Sequence, residues 1–405
     1  MSDTHGVTVV LGGSITQLPL VDAARARGLT VAVVDGNASA PAFDIGGVHA
    51  VIVDFSDIDA VQSALERSFP SVRAVVSMGA DRAVVPHALL CQRFAVPGLD
   101  VATAHRATDK QQMRAAFQAA GVDCAAGAEV DSESAARQVA ATMDLPAVVK
   151  PADASGQRGV RLVHAVGNID AAARGALGIS PSGRAVIEQF IDGPEYTVDG
   201  IVEDANPRTL LVTRRLHVEE GPLGVCRCHR FPAGLEPADE AALRELAEAG
   251  VRALGIDRGA THTEIRIGPA GPAIIEIGAR LSGGQLAHLC RLVTGIDPVS
   301  LVLDAALGEP LAYTDTPAVA SHGAVAFATR IAGRVVRANA RPALAVDGVH
   351  DAGLYVAKDD VLPALQSGAE RVGYVTLVAG SDDELDARVE HALGALVVDV
   401  RPAGR

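Results

Sequence analysis

No apolar run in this sequence approaches the roughly 20 residues that a membrane-spanning helix needs, so no membrane partner is expected. The opening residues, Met1-Ser2-Asp3-Thr4-His5, lack the basic start of a secretory signal. Together these two absences predict a cytoplasmic protein. Cysteine is sparse, five in 405 residues and far apart except for Cys226 and Cys228, and that odd, scattered set does not suggest a disulfide framework. The string Cys226-x-Cys228-His229 has no second ligand cluster at zinc-like spacing and reads as a strand with alternating faces. Positive charge is in deficit, 35 Lys plus Arg against 49 Asp plus Glu, for a net −14. Such a surface repels nucleic-acid phosphates, although a local basic pocket can still hold a small phosphate ligand. Lysine is scarce while Ala, Gly, Val and Arg are abundant, a bias that points to a GC-rich genome rather than to a function. Internal repeats, low-complexity tracts and a convincing catalytic triad are also missing.

What is present is a chain long enough for two or three domains around substantial cores. The first part alternates apolar strands (Val7 to Leu11, Thr30 to Val34, Val48 to Val53, Val72 to Val76) with helical stretches such as Leu18 to Arg27. Continuous apolar strands separated by helices predict a parallel sheet covered on both faces. Strand, Gly12-Gly13, helix, strand and Asp35 also outline a dinucleotide site, but the text Gly12-Gly13-Ser14-Ile15-Thr16-Gln17 lacks the G-x-G-x-x-G fingerprint. The glycines therefore read as a tight strand-to-helix turn. From about Thr108 the pattern changes. A helix over Asp109 to Ala120 stops at Gly121, and β-rich segments run to about residue 278, interrupted by a helix from Pro237 to Leu254. Helices from Gln285 to Leu307, a linker at Pro310 to Pro317, and further strands with a helix from Asp382 to Leu396 complete the chain. The expected division is 1–107, 108–309 and 318–405.

Three segments carry chemistry. Val148-Val149-Lys150-Pro151-Ala152-Asp153-Ala154-Ser155-Gly156-Gln157-Arg158-Gly159 puts a lysine at the end of a buried strand and a loop of small residues after it. Such a loop can aim backbone N–H groups at phosphate oxygens while the lysine adds charge. It is not a Walker sequence, which needs G-K-[ST] before a helix, and alone it reads equally well as a hairpin with a surface lysine. Glu188-Gln189-Phe190-Ile191-Asp192-Gly193-Pro194-Glu195 sets two carboxylates on either side of a turn, able to accept from an adenine amino group and ribose hydroxyls. His262-Thr263-Glu264-Ile265-Arg266 and Ile274-Ile275-Glu276-Ile277-Gly278-Ala279-Arg280 put acids on adjacent strands. A carboxylate inside an apolar strand needs a cation or a donor. Two hard oxygen donors beside phosphate oxygens suit Mg²⁺, while a buried Glu–Arg ion pair is the plainer reading.

Taken together, these residues resemble the ATP-grasp superfamily, and the resemblance runs over most of the chain. It implies an α/β architecture: an N-terminal parallel α/β domain, a two-lobed α+β ATP-grasp domain and a small C-terminal α+β subdomain. By the same resemblance Lys110 and Lys150 contact the ATP phosphates, and Ser155, Gly156 and Gly159 lie on a mobile phosphate-covering loop. Glu188 and the backbone near Phe190 hold adenine, and Glu195 holds ribose. Glu264 and Glu276 bind Mg²⁺, with two ions implied and Mn²⁺ able to substitute, and Arg280 stabilises the acyl phosphate and the tetrahedral intermediate. One departure stands out: where many members read E-x-N-x-R, this chain has Gly278, which offers no ligand. The string Glu276-Ile-Gly-Ala-Arg280-Leu-Ser282-Gly283-Gly284 looks most like the L-amino-acid ligases that build dipeptides and related antibiotics, in which the glycines after the Arg line the substrate pocket. The implied reaction joins a small-molecule carboxylate to an amine, in a protein expected to be a homodimer. A bicarbonate-using carboxylase, a purine-pathway ligase and a non-catalytic nucleotide-binding regulator are the alternatives. His217 to Arg230 is a further segment that could face substrate.

Overall fold

A computed structural model of the chain describes residues 6–219, 221–313 and 318–402. The opening pentapeptide, Glu220 and the second half of the expected Pro310–Pro317 linker lie outside the described residues.

Near the N-terminus, Val7–Leu11 pairs in parallel with Val31–Val34 on one side and Val72–Ser77 on the other, and Val48–Val51 extends the sheet beyond Val31–Val34. β-Branched residues fill these strands, and consecutive side chains leave on opposite faces. Val9, Leu11, Ala32, Val34 and Val75 pack towards helices Ile58–Ser68 and Val84–Phe94. Val10, Val31, Val33, Ala74 and Val76 pack on the other face, in a core shared with helices Leu286–Thr294 and Pro298–Leu307. A sheet buried on both faces is the expected parallel α/β arrangement. The glycine pair serves its turn: Gly12 has φ +92°, and the Gly13 N–H donates to Asp35 Oδ2 at 2.8 Å.

The rest of the molecule is antiparallel. Helix Lys110–Ala120 is capped by the Asp109 carboxylate, which accepts from the Gln111 and Gln112 amides, and stopped by Gly121 at φ +68°. A small lobe follows, with strand order Gly127–Val130, Ala185–Gln189, Ala147–Pro151, Arg161–Val163. Its core is closed by helices Glu133–Ala140 and Ile169–Ile179. Opposite it stands an eight-stranded sheet: Gly271–Gly278, Gly259–Gly268, Glu195–Glu203, Asn206–His217, Cys226–Phe231, His322–Ala328, Gly373–Ala379, Val349–Leu354. Its last three strands come from the C-terminal part of the chain, so that part continues the central sheet. Helix Pro237–Leu254 covers one face through Leu243, Val251 and Leu254 against Val198, Ile265 and Ile277. The fold is thus mixed α/β, a parallel N-terminal sheet followed by two antiparallel lobes. Among the described residues no single helix is long and apolar enough to cross a membrane.

Candidate active site

The face of the large sheet away from helix Pro237–Leu254 is polar, and strand periodicity explains why. Residues two apart share a face. Glu195, Thr197 and Asp199 therefore line up on one strand, and His262, Glu264 and Arg266 on its neighbour, with His262 opposite Asp199, Glu264 opposite Thr197 and Arg266 opposite Glu195. Arg215 stands opposite Glu195 on the other side, and Glu276 opposite Glu264. The opposite charges of Arg266 and Arg215 across from Glu195 favour that register, whereas Glu264 and Glu276 set like charges side by side.

This face and the small lobe enclose a cleft of about 300 Å³. Lys110, Lys150, Ser155, Gly156, Glu188, Phe190, Glu195, Glu264, Glu276, Arg280, Ser282, Gly283 and Gly284 all line it. Gly159 does not. It sits behind the loop at φ +75°, where a Cβ would come within 2.8 Å of Ile179 Cδ1 and 3.1 Å of Pro151 Cγ, so it serves a close backbone approach. Gly156 and Gln157 also hold positive φ, +71° and +62°.

The charges form pairs. Lys110 Nζ lies 3.3 Å from Glu276 and donates to the Ala154 carbonyl at 2.9 Å, tying the loop to that acid. Burial disfavours its charge, but Glu276 and Asp81 outweigh that and raise its pKa. Lys150 Nζ is 2.6 Å from Glu188, whose other oxygen pairs with Arg114. Glu195, 7% exposed, meets Arg215 at 3.0 Å and Arg266 at 2.8 Å. Glu188 and Glu195, expected to face adenine and ribose, line the cleft and are also paired with cations, Glu188 with Lys150 and Arg114. Glu264 pairs with Arg215 and His262. Burial opposes its charge, yet Arg215 ahead of His262 holds its carboxyl well below the usual range. His262, buried too, is pushed up to about 9 by Asp199 and then Glu264, so it is an imidazolium at neutral pH.

Arg280 is fixed by a residue that sequence reasoning missed. Asp81 follows strand Val72–Ser77, and its two carboxylate oxygens accept from Arg280 Nε at 2.8 Å and Nη2 at 2.9 Å. Burial works against the Asp81 charge, and Arg280 more than compensates, keeping its pKa below the ordinary carboxylate value. A second stitch, the Gly79 N–H to the Leu281 carbonyl at 3.0 Å, holds the two segments together. The available signal was position: ligands of open parallel sheets sit beyond the carboxyl ends of the strands. Arg215 and His262 were missed as well, and the two-residue spacing His262-x-Glu264 was their signal.

An ATP-grasp domain family matches residues 143–288. The protein y4rH of Sinorhizobium fredii (strain NBRC 101917 / NGR234) is 28% identical over 88% of this chain and 74% of its own length. The alanine–anticapsin ligase of Bacillus subtilis is 26% identical over 55% of this chain, and the chain covers 51% of it, about half. Among solved structures, the L-amino acid ligase from Bacillus licheniformis superposes with a TM-score of 0.85 at 21% identity, covering 99% of this chain and 100% of that one. The similarity to an ATP-grasp domain thus lies in residues 143–288, and the fold of the whole chain is that of the L-amino acid ligase. The biotin carboxylase domain of 2-oxoglutarate carboxylase from Hydrogenobacter thermophilus, solved with MgADP and bicarbonate, has the same fold at TM-score 0.78 and 15% identity, over 98% of this chain and 92% of that one.

The donor chemistry fits Mg²⁺. Glu264 and Glu276 face each other in register, and their side chains are 23% and 32% exposed, open to the cleft. Hard carboxylate oxygens suit this ion, which keeps several water or phosphate ligands. No third protein donor completes the set: among the described residues no group of three His, Cys, Asp or Glu is arranged to hold a metal. Gly278 explains the departure from the usual ATP-grasp pattern. A Cβ there would lie 3.3 Å from both Arg280 Cζ and Asp81 Oδ1, so the Asp81–Arg280 pair fills the space a side chain would use. Cys226 and Cys228 are buried free thiols on one strand, with the exposed Arg227 between them.

Proposed function

We propose that this protein is an ADP-forming ligase that activates a small carboxylate, an amino acid or similar acid, as an acyl phosphate and joins it to an amine. The observation that supports this most is the convergence of Lys110, Lys150, Glu264, Glu276 and Arg280 on one cleft beneath a small-residue loop. Such a cleft needs no nucleophile of its own, because positioning and charge stabilisation do most of the work in phosphoryl transfer.

In the first step a carboxylate oxygen attacks the γ-phosphorus in line and ADP leaves. Lys150, steadied by Glu188, and Lys110, steadied by Glu276, offset charge on the transferring phosphoryl group. Glu264 and Glu276 would hold magnesium, which would supply positive charge to offset the charge developing on the phosphate. Two ions, with Mn²⁺ as a substitute, belong to this proposal. In the second step the amine attacks the acyl carbon and gives up a proton. The tetrahedral centre collapses, the carbon–oxygen bond to phosphate breaks, and phosphate departs. Arg280, held flat by Asp81, and backbone N–H groups at Ser282 to Gly284 would face the oxyanion. The loop at Ser155 to Gly156 excludes water, which would otherwise hydrolyse the acyl phosphate. The three-part division at 107/108 and 309/318, a cytoplasmic location and a homodimeric assembly complete the reading.

The test is a phosphate- and ADP-release screen of amino acids and small carboxylates in pairs, with mass detection of products. Amide formation stoichiometric with ADP is expected. Tight ATP binding without ADP release from any pair would overturn the ligase reading, and bicarbonate-dependent ADP release without an amine would replace it with a carboxylase.

A further inference from the structure

The cleft has a larger neighbour that the ligase reading does not use. A chamber of about 660 Å³ shares Gly283 and Gly284 with it, and none of Lys110, Lys150, Glu264, Glu276 and Arg280 lines that chamber. Its walls come from three distant stretches of chain: helix Leu18–Ala26, helix Leu286–Thr294, and the C-terminal strands Val349–Leu354 and Gly373–Ala379. Helical spacing sorts the side chains of the second. Leu286, Leu289, Cys290 and Val293 are buried in the core, whereas His288 and Arg291, three apart, line the chamber. Gln285 lines it too. It begins that helix at φ +67°, a left-handed backbone that few side chains adopt, and its side chain caps no amide. Strain of this kind concentrates at ligand clamps and switch regions.

Opposite charges line this chamber close together. Asp351 keeps 36% of its side chain exposed. Its Oδ2 accepts from the Tyr374 hydroxyl at 2.9 Å and lies 3.7 Å from His288 Nδ1. Burial opposes its charge, but the bonds from His288 and Tyr374 outweigh that and keep its pKa below the ordinary carboxylate value. The Tyr374 and Tyr355 rings stand 5.5 Å apart between centroids, and both line the chamber. A carboxylate beside two phenol rings is a surrounding that attracts an organic ammonium. Arg291, one helical turn beyond His288, is exposed and has no carboxylate partner among the described residues. The other charged groups of the lining are engaged or peripheral. Arg27 pairs with Asp304 at 2.5 Å, Asp297 accepts from the Val299 amide and the Ser300 hydroxyl, and Asp22 is exposed. Ile15, 37% exposed, joins Leu18, Pro19 and Val299 in an apolar stretch of wall.

We propose that this chamber is a second small-molecule site, separate from the catalytic cleft, and that it takes a free amino acid with an apolar side chain. The ammonium meets Asp351 and the tyrosine pair, and the carboxylate meets Arg291, whose planar fork matches it. The apolar side chain meets the Ile15 wall. Residues three apart on a helix stand about 5–6 Å from each other, and His288 adjoins Asp351, so the two anchors suit a molecule whose charges are close. An occupant bears on helix Leu286–Thr294 and on Gly283 and Gly284, the turn that the cleft shares, and so regulates turnover from outside the cleft. That last step rests on the ligase reading; the binding itself does not.

Equilibrium dialysis of each of the twenty protein amino acids, without ATP, tests the site. The proteins are wild type, Asp351→Asn, Arg291→Met and Ala26→Trp, with Arg280→Met as the cleft control. At least one apolar amino acid should bind wild type with a millimolar or lower Kd. Asp351→Asn, which still offers Tyr374 an acceptor, and Arg291→Met should each weaken it about tenfold or more, as expected of a lost charge-assisted contact. Ala26→Trp should do the same by filling the chamber from an exposed helix position that the fold tolerates. Arg280→Met should leave the Kd within about twofold, a change too small for a direct contact. No binding below about 10 mM, an affinity weaker than about 3 kcal/mol, overturns the proposal. So does binding that Arg280→Met weakens and Asp351→Asn does not, which puts the amino acid in the cleft. Both results leave the ligase reading intact. In a productive pair made of other compounds, the bound amino acid should shift the acceptor KM about fivefold in wild type, the low end for coupled sites, and not in Asp351→Asn. An equal response in both overturns the regulatory role. Absence of ADP release from every acid and amine pair removes the ligase reading, and dialysis still decides the site.

Discussion

The parallel N-terminal sheet and the polar face of the eight-stranded sheet are both built from buried strands, and they handle burial in opposite ways. In the first, Val9, Leu11, Val33 and Val75 are fully shielded and need nothing but close packing. In the second, Glu195 and Arg215 are withdrawn from water as charges and Glu264 and His262 partly so, and each is tolerable only because a neighbour two residues along or one strand over compensates it. Packing depends on volume and forgives a conservative change. The charged ladder depends on pairing, so removing one member strands another. The two regions should therefore fail differently, the sheet through stability and the ladder through chemistry.

The largest separation is expected at Glu276. Glu276→Gln should lower ADP release by at least about a thousandfold, because an anionic donor to the ion is lost and that charge supplies several kcal/mol. The fold should survive, since Lys110 retains the Ala154 carbonyl and the field of Asp81. Normal ATP affinity with no turnover is the expected pattern, and turnover near the wild-type level would remove Glu276 from the chemistry. Leu11→Ala is the counterpart in the sheet. Leu11 is 0% exposed, and its truncation should cost about 3.5 kcal/mol in unfolding free energy, mid-range for a buried leucine. Its kcat/KM should hold below the melting transition; a loss of activity in fully folded protein would blur the contrast.

How much of this was readable in advance follows the same line. The parallel sheet was legible because periodicity and β-branched content are local properties, and the strand and helix bounds needed only small corrections, as at Val48–Val51. That Lys110, Lys150, Glu264 and Glu276 line one cleft was legible too, since order and spacing along one chain single them out. Asp81 was not, because its partner Arg280 lies 199 residues away and only the tertiary fold joins them. The ion pairs of Glu188 and Glu195 were not legible for a related reason. Spacing identifies a carboxylate near a site, but not that Arg114, Arg215 and Arg266 reach it first. Gly159 shows the converse: a glycine in a phosphate-loop pattern that answers to Ile179 and Pro151 behind the loop.

Titration of the ladder gives a smaller effect with a definite sign. His262 is raised from 6.5 to about 9, so its imidazolium stabilises the folded state fully below pH 6.5 and less as pH climbs through 9. The span corresponds to about 3 kcal/mol of stability lost on the alkaline side. Urea unfolding of wild type and His262→Gln at pH 6 and pH 9.5 measures it. Wild type should lose about 3 kcal/mol more than the variant across that window, and equal losses would mean that Asp199 and Glu264 do not hold a proton on His262.

The smallest effect is the most diagnostic for how the two regions meet, because Asp81 belongs to the sheet and Arg280 to the ladder. If the Asp81 carboxylate occupies the room that a side chain at 278 would take, the two positions are coupled. Gly278→Asn alone should push Asp81 off Arg280 and lower kcat about tenfold, and Asp81→Ala alone should do much the same by releasing Arg280; each loss is about 1.4 kcal/mol. Together they should cost clearly less than the hundredfold product, since the introduced asparagine side chain then enters vacated space and offers an oxygen to the cleft. The coupling should exceed about 1 kcal/mol, above the few tenths expected of independent sites. Losses that simply multiply would show that Gly278 answers to something other than the Asp81–Arg280 pair, although its Cβ position lies 3.3 Å from both.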